Sequence, residues 1–353
     1  MIPNTIPYLI GETAFHHQGD VPFLEELIAN AVEVGVDAMK FHLTIDLDDY
    51  MVSNHEAIEV IRPWCLSAND WSTVLPNVIE QSLDLILLCN DVASLRWVND
   101  SAIPVKAIEL HATGLNDYFL LEEAAKFEQT VVLGTGGSTI EEIQYAVDFL
   151  RNRGKTDIFL MHGFQNYPTD FKDINLSKMR LLAGLFDLPV GYADHTDPAD
   201  PDNEAISVMG AAAGFNVLEK HFTHAFGEKR IDAQAAVSVD QLRNVKRLLG
   251  KAVAAYGFND LRMSAAEKKY GDTGPMKKAI VARREIKKGE TVSIEDVAFK
   301  RTNESAPLKQ LDLPKLIGLK AATTIDKDTF IDYSNVEYVY QSNEISQFKN
   351  TDS

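Results

Sequence analysis

The chain has 353 residues, 45% of them hydrophobic, and 52 acidic against 34 basic side chains give a formal net charge of −18. That length and composition can supply a core for one large domain and a smaller one beside it. The charge argues against nucleic acid or an anionic membrane as the main partner, and no apolar run approaches the roughly 18 residues of a membrane span. The opening MIPNTIPYLIGE lacks the basic n-region of a signal peptide. Two cysteines, Cys65 and Cys89, make no disulfide framework and fit a reducing compartment. The expectation is a soluble cytoplasmic protein.

From the first residues to about 258, short apolar runs alternate with longer amphipathic ones. The predicted strands are Tyr8–Ala14, Ala38–Leu43, Leu83–Cys89, Ala107–Ala112, Thr130–Gly136, Asp157–Gly163, Pro189–Asp194 and Asn216–Phe222. Helical patterns between them include Pro22–Val34, Thr139–Arg151, Leu176–Phe186 and Val239–Tyr256. Gly35 is placed to stop the first helix, and Thr139-Ile140-Glu141-Glu142 has the acidic first turn of a helix start. This alternation indicates parallel β-structure. Eight units are the number that closes a (β/α)8 TIM barrel, while a doubly wound open sheet is the competing reading.

The pattern changes after Gly257. Residues 259–277 are polar, broken by Gly271, Gly274 and Pro275, and read as a linker. Residues 278–340 read as a small β-rich domain, and 341–353 as a polar tail. Between Lys277 and Arg301 stand eight basic residues against four acidic ones. They make either a solvated charged face or a basic cap that docks over an acidic barrel, that of another subunit included.

In such a barrel the catalytic residues gather at the carboxyl ends of the strands. His195 in GYADHT and His221 in LEKHFT end the last two predicted strands, which are neighbours in a closed ring. Two imidazoles over one mouth suit a divalent metal, although a single histidine is more often a hydrogen-bonded structural residue and the spacing is no metal signature. Glu12 closes the first strand, Lys40 lies in the second, and Asp232 follows the last in EKRIDAQ. Glu219 precedes His221 by two and so points to the same side of its strand. A buried Lys40 needs a counter-charge or an anionic ligand. A plain Glu12–Lys40 pair inside the barrel is the alternative to a site.

These segments, in this order, resemble the sialic acid synthase family, enzymes that condense phosphoenolpyruvate with an amino-sugar to make nonulosonic acids. The resemblance covers almost the whole chain: GETAFHHQGD against an AEIG-x-NHNG-like stretch, DAMKFH against DAVKFQ, then LGTGGSTIEEI, LMHGFQNYP, PVGYADHT and LEKHFT. ARREIKKGETVSIEDVAFKR looks like the start of the family's C-terminal antifreeze-like (SAF) domain. The resemblance implies that His195 and His221 hold a divalent metal, manganese (Mn2+) in the family, with Mg2+ or another divalent ion as alternatives. It implies catalytic positions at Glu12, Lys40, Glu219 and Asp232. It implies substrate contacts at His42, at Gln165 where the family has asparagine, and at Tyr167 of the YP motif. Arg301 in FKRTN matches an arginine that reaches the sugar in the partner subunit's barrel, so a homodimer is implied. In the family, C3 of the enol attacks the aldehyde, water adds at C2, and phosphate leaves.

The departures from the family cluster. Its fourth strand reads like YKIGSGE where this chain has IELHATGLND. With the register open by one or two residues, Glu109 or Leu110 replaces the lysine, and Ala112 or Thr113 the serine. STG becomes Gly134-Thr135-Gly136, SDHT becomes Ala193-Asp194-His195-Thr196, the third strand ends LLCND where the family shows a threonine, and the segment after Lys40 is short. Most of the replaced groups hold the phosphate or carboxylate of phosphoenolpyruvate. Hydrogen bonds to a charged group contribute roughly 1.5–3 kcal/mol each, so phosphate binding falls by orders of magnitude unless Lys106 or His111 substitutes; Lys106 and Thr113 are further expected substrate contacts. An inward Glu109 would also repel a phosphate, unless Lys106 neutralises it. Three readings follow: a divergent nonulosonate synthase still using phosphoenolpyruvate, a metal-dependent carbon–carbon lyase or aldolase whose substrate has no phosphate, and a non-catalytic binding partner.

Overall fold

Eight parallel strands pair in chain order, from β1 (Tyr8–Glu12), β2 (Ala38–Leu43), β3 (Asp84–Cys89) and β4 (Ala107–Leu110) to β5 (Thr130–Gly134), β6 (Ile158–His162), β7 (Val190–Asp194) and β8 (Val217–Thr223). The ring closes because β1 also pairs with β8, Glu12 lying opposite His221 on one side and Lys40 on the other. This is a TIM barrel, and the open sheet is excluded. The computed structural model describes residues 1–3, 5–164, 166–257 and 261–338. It divides into two units, Met1–Gly257 and Phe258–Ser353; residues 341–353, read as a tail, lie outside the described residues.

Each predicted strand and helix is found with its ends within two residues of the expectation, and Ala38–Leu43 and Val239–Tyr256 match it at both ends. Helix Val21–Val34 starts from Asp20, whose side chain accepts from the Phe23 amide, and stops at Gly35, which takes the left-handed φ of 76° that glycine adopts without a steric cost. Helix Ile140–Asn152 is capped by Thr139 in a reciprocal box with Glu142.

Strand alternation decides what faces the axis. Ile10, Ala38, Ile86, Ala107, Val132 and Phe159 form an apolar layer inside the ring, together with Ile2 below. Outward residues such as Leu9, Met39, Leu87, Ile108 and Leu133 pack against the helices. One step up from the apolar layer, the inward positions become Glu12, Lys40, Glu109 and Glu219. A barrel interior is a packed core, so these charges are buried by the same alternation that fills the layer beneath them.

The C-terminal unit has its own core, including Ile280, Ile286, Val292, Leu316, Ile325 and Ile331. Strands Ala279–Ala282 and Val297–Lys300 pair antiparallel, and single bridges such as Ile286 with Ile325 extend the pairing. Its polar start is tied in: Lys309 pairs with Asp272 at 2.7 Å, and the Ala306 amide donates to the Thr273 carbonyl. No helix among the described residues is long and apolar enough to cross a membrane.

Candidate active site

Lys40 is the centre of the barrel mouth. Its ammonium lies 2.7 Å from Glu12, 2.9 Å from Glu109 and 2.8 Å from Glu219, and all four side chains are at most 5% exposed. Burial alone would lower the lysine's pKa, but Glu109, Glu12 and Glu219 together hold it charged, well above its ordinary value. The carboxylates feel the opposite balance. Burial raises Glu109 to about 7 and Glu219 to about 8, each partly offset by Lys40, and it also raises Glu12. His42 closes the cluster with its Nε2 2.7 Å from the second Glu12 oxygen; burial and Lys40 push it down to about 3, so it is neutral.

His195 and His221 stand across the mouth with ring centroids 5.0 Å apart. Burial pushes His195 down to about 3 and His221 well below the usual imidazole range. Both are the neutral form that binds metals. Nδ1 of His195 is buried without a hydrogen-bond partner among the described residues. The ring of Tyr167 meets both imidazoles edge-on, at 5.3 and 6.0 Å. The donor set fits a divalent ion held by two imidazoles. No group of three or more His, Cys, Asp or Glu among the described residues is arranged to hold a metal, so further positions would fall to water or substrate, as an open catalytic site requires.

The rest of the rim is nearly bare. Ala112, Gly134, Gly136, Gly163 and Ala193 line it together with Leu88, His111 and Met161. Two of these glycines are there for close approach: a Cβ on Gly136 would sit 2.2 Å from the Gly163 carbonyl oxygen, and one on Gly163 would sit 2.6 Å from that of Ala193. Just outside the mouth, Asp194 and Lys220 form a fully buried ion pair at 2.6 Å. Each directly precedes one of the two histidines. Sequence reasoning missed this pair, although parity signals it: residues flanked by mouth-facing neighbours must point into the helix-covered layer, where a charge needs a partner.

Of the residues singled out from sequence, Glu12, Lys40, His42, Tyr167, His195, Glu219 and His221 line one mouth. Asp232 is beside it, half-buried, and raised to about 6 by burial and by Glu12. The register of β4 is settled: Glu109, not Leu110, faces inward, and Ala112, not Thr113, lines the mouth. Thr113 lies outside the mouth lining. It is exposed on the turn Ala112–Gly114, 2.8 Å from His111, and borders an adjoining depression with Tyr50, Asn90 and Asp91. Lys106 lies outside the lining as well. It precedes β4 and lies 3.4 Å from Asp84 at the start of β3, at the amino ends of the strands. The strand rises about 3.3 Å per residue, which leaves the lysine at the far end of the barrel from Glu109. Arg301 is exposed in the C-terminal unit, its guanidinium 2.9 Å from the Met276 sulfur. Gln165 lies outside the described residues.

A closed eight-stranded barrel with titratable groups and a histidine pair at the carboxyl ends, followed by a small β unit, defines a TIM-barrel enzyme scaffold with an appended domain. Residues 27–260 match the NeuB family and residues 277–337 match the SAF domain. The chain belongs to the NeuB family. It is 30% identical over 317 residues to the protein MJ1065 of Methanocaldococcus jannaschii, covering 87% of this chain and 88% of that one. It is 23% identical to the N,N'-diacetyllegionaminic acid synthase of Legionella pneumophila over 94% of both chains. The crystal structure of the spore coat polysaccharide biosynthesis protein E of Chromobacterium violaceum superposes with a TM-score of 0.80, at 23% identity, over 94% of this chain and all of that one, a likeness of fold.

Proposed function

We propose that this chain is a divergent synthase of the nonulosonic-acid type, joining C3 of a three-carbon acid donor to the aldehyde carbon of an amino-sugar at the barrel mouth. The observation that supports it is the convergence of Glu12, Lys40, His195, Glu219 and His221 on one buried mouth, together with membership of the NeuB family. His195 and His221 would hold a divalent metal, Mn2+ first among the candidates. When bound, that ion polarises the aldehyde oxygen and serves as a common template for both reactants. The protein's own groups do the rest. Lys40 keeps three carboxylates together in the apolar barrel, and Glu12 lies beside the His42 imidazole. Tyr167 packs against both histidine rings and limits their rotation. Glu219 and Asp232 supply the acid–base capacity that proton transfer to the new hydroxyl needs.

We further propose a cytoplasmic homodimer in which the SAF unit of one chain covers the barrel of the other, with Arg301 directed at the sugar. The motif match supports it, and sedimentation tests it: a monomer at micromolar concentration would overturn it. The catalytic reading is tested by incubating the Mn2+-loaded protein with N-acetylated amino-sugars and either phosphoenolpyruvate or pyruvate. The expected product is a sugar acid three carbons longer, detected by mass spectrometry, and no such product from either donor sinks the reading. Glu109 favours a second version of the same chemistry, in which the donor has no phosphate.

A further inference from the structure

We propose that the three-carbon donor enters this mouth as an unphosphorylated 2-oxo acid of the pyruvate class, and that Glu109 is the base that removes a proton from its C3. The inference rests on the carbon–carbon bond-forming reading above. Its ground is the arrangement of charge around Lys40. The Lys40 ammonium donates to Glu109 and Glu219 and lies 2.7 Å from Glu12, so its charge is already met by three carboxylates and is not free for a phosphate. Its neighbour His42 is neutral, and Lys106 is at the other end of the barrel. Across the mouth, Ala112, Gly134, Gly136, Gly163 and Ala193 offer no side-chain donor, which leaves His111 and Tyr167 as the donors on this side of the lining. A phosphate placed there would meet Glu109 instead of the lysine that the family resemblance predicts. While Glu109 is ionised, above its pKa of about 7, a like-charge pair about 4 Å apart costs roughly a thousandfold in affinity at an effective dielectric near 20. A metal on the histidines would add the same charge in either case, so the difference made by the lysine-to-glutamate change remains.

The same replacement supplies what an unphosphorylated donor requires. Phosphoenolpyruvate is already an enol and its C3 needs no base. The methyl carbon of a 2-oxo acid does need one. Glu109 is buried in the mouth and lines the same cavity as Gly134, His195 and His221. Its pKa, raised to about 7 by burial, suits a base at neutral pH. In the step, the C3–H bond breaks and its proton goes to Glu109. The electron pair enters the enolate, C3 attacks the aldehyde carbon, and the C2 carbonyl re-forms. The aldehyde oxygen takes up a proton, and Glu109 returns its own to solvent. The sum is 2-oxo acid plus aldehyde giving a 4-hydroxy-2-oxo acid, with no leaving group and no redox change.

Two measurements test this on the full chain. In calorimetry, with and without Mn2+, wild type should not bind phosphoenolpyruvate at millimolar concentration, while Glu109→Gln gains affinity by up to about a thousandfold. In deuterated water with Mn2+, proton NMR should show wild type exchanging the pyruvate methyl protons and Glu109→Gln slowed about a hundredfold or more. Glu109→Asp keeps the charge and a base, so it should keep phosphoenolpyruvate out and retain part of the exchange. Micromolar phosphoenolpyruvate binding by wild type, unchanged in Glu109→Gln, overturns the inference. So does exchange that persists in Glu109→Gln. A sugar acid formed from phosphoenolpyruvate with phosphate release overturns it too, while leaving the synthase reading intact. Glu109-dependent exchange with no product from any aldehyde does the reverse.

Discussion

The Asp194–Lys220 pair gives a stability test with a predicted asymmetry. Both side chains are fully buried and 2.6 Å apart, so removing either partner leaves an uncompensated charge in the layer between strands and helices, a loss of about 3–5 kcal/mol. The two losses differ. Asp194 also accepts from the Thr196 amide at 3.0 Å, the Thr196 hydroxyl at 3.2 Å, the Tyr192 hydroxyl at 3.1 Å and the Ser207 hydroxyl. In Lys220→Met the carboxylate therefore keeps several donors and the cost falls at the low end, about 3 kcal/mol. Asp194→Asn is worse: it removes the charge opposite Lys220 and turns an amide donor toward groups that are themselves donors. It should cost about 5 kcal/mol. The assay is denaturant unfolding followed by tryptophan fluorescence, which reports the barrel because Trp64, Trp71 and Trp97 all belong to the first unit. The double variant should cost less than the two singles combined, with a coupling of about 0.5–3 kcal/mol. Losses below about 1 kcal/mol for both singles, or a costlier Lys220→Met, would refute the reasoning.

Alanine at Gly136 or Gly163 should cost about 1–3 kcal/mol and most of the activity, because its Cβ meets a neighbouring carbonyl oxygen. Gly184→Ala, in a helix with open space around it, should stabilise by about 0.5–1 kcal/mol in the same unfolding assay. Glu109 links stability to pH: its folded pKa of about 7 exceeds the 4.5 of an exposed glutamate, so its contribution is complete below about pH 4.5 and fades as pH rises through 7. Relative to Glu109→Gln, wild type should therefore lose on the order of 3 kcal/mol across that window, and a pH-independent difference between the two would contradict it. Mn2+ at 100 times its dissociation constant should stabilise wild type by about 2.7 kcal/mol in thermal unfolding and leave His195→Ala and His221→Ala unmoved; equal shifts in all three would place the metal elsewhere.

Most of the barrel was legible because each strand and helix carries its own period. Leu85–Cys89 in β3 is apolar on both faces, as a strand covered on both sides must be, and Thr139 and Gly35 mark helix ends through local hydrogen bonding. The histidine pair was legible too, since equivalent strand ends meet in a closed ring. The inward turn of Glu109 was not. IELHATGLND fits its neighbours in more than one register, and only pairing of Glu109 with Val132 and Leu88 chooses one. Lys106 misled for a related reason: its charge suits a phosphate, but a residue before a strand belongs to the opposite end of the barrel from a residue after it. Asp194 and Lys220 are adjacent to mouth residues in sequence and face away from them in space, a relation that parity states but composition hides.

Closure of the ring between the first and last strands also sets the order in which the protein can become competent. Lys40 and Glu219 are separated by 179 positions in the chain, and contacts of such long range slow folding because the loop must be closed before the contact forms. As the chain emerges from the ribosome, Glu12 and Lys40 are available early, and Glu109 follows. Glu219 and His221 arrive only with β8. Until then β1 and the latest strand to form are unpaired edges, open to other chains, and the buried lysine lacks one of its three carboxylates. Completing the mouth and sealing the last edge are thus a single event, and a chain that has not yet formed β8 has both an open edge and an incomplete mouth.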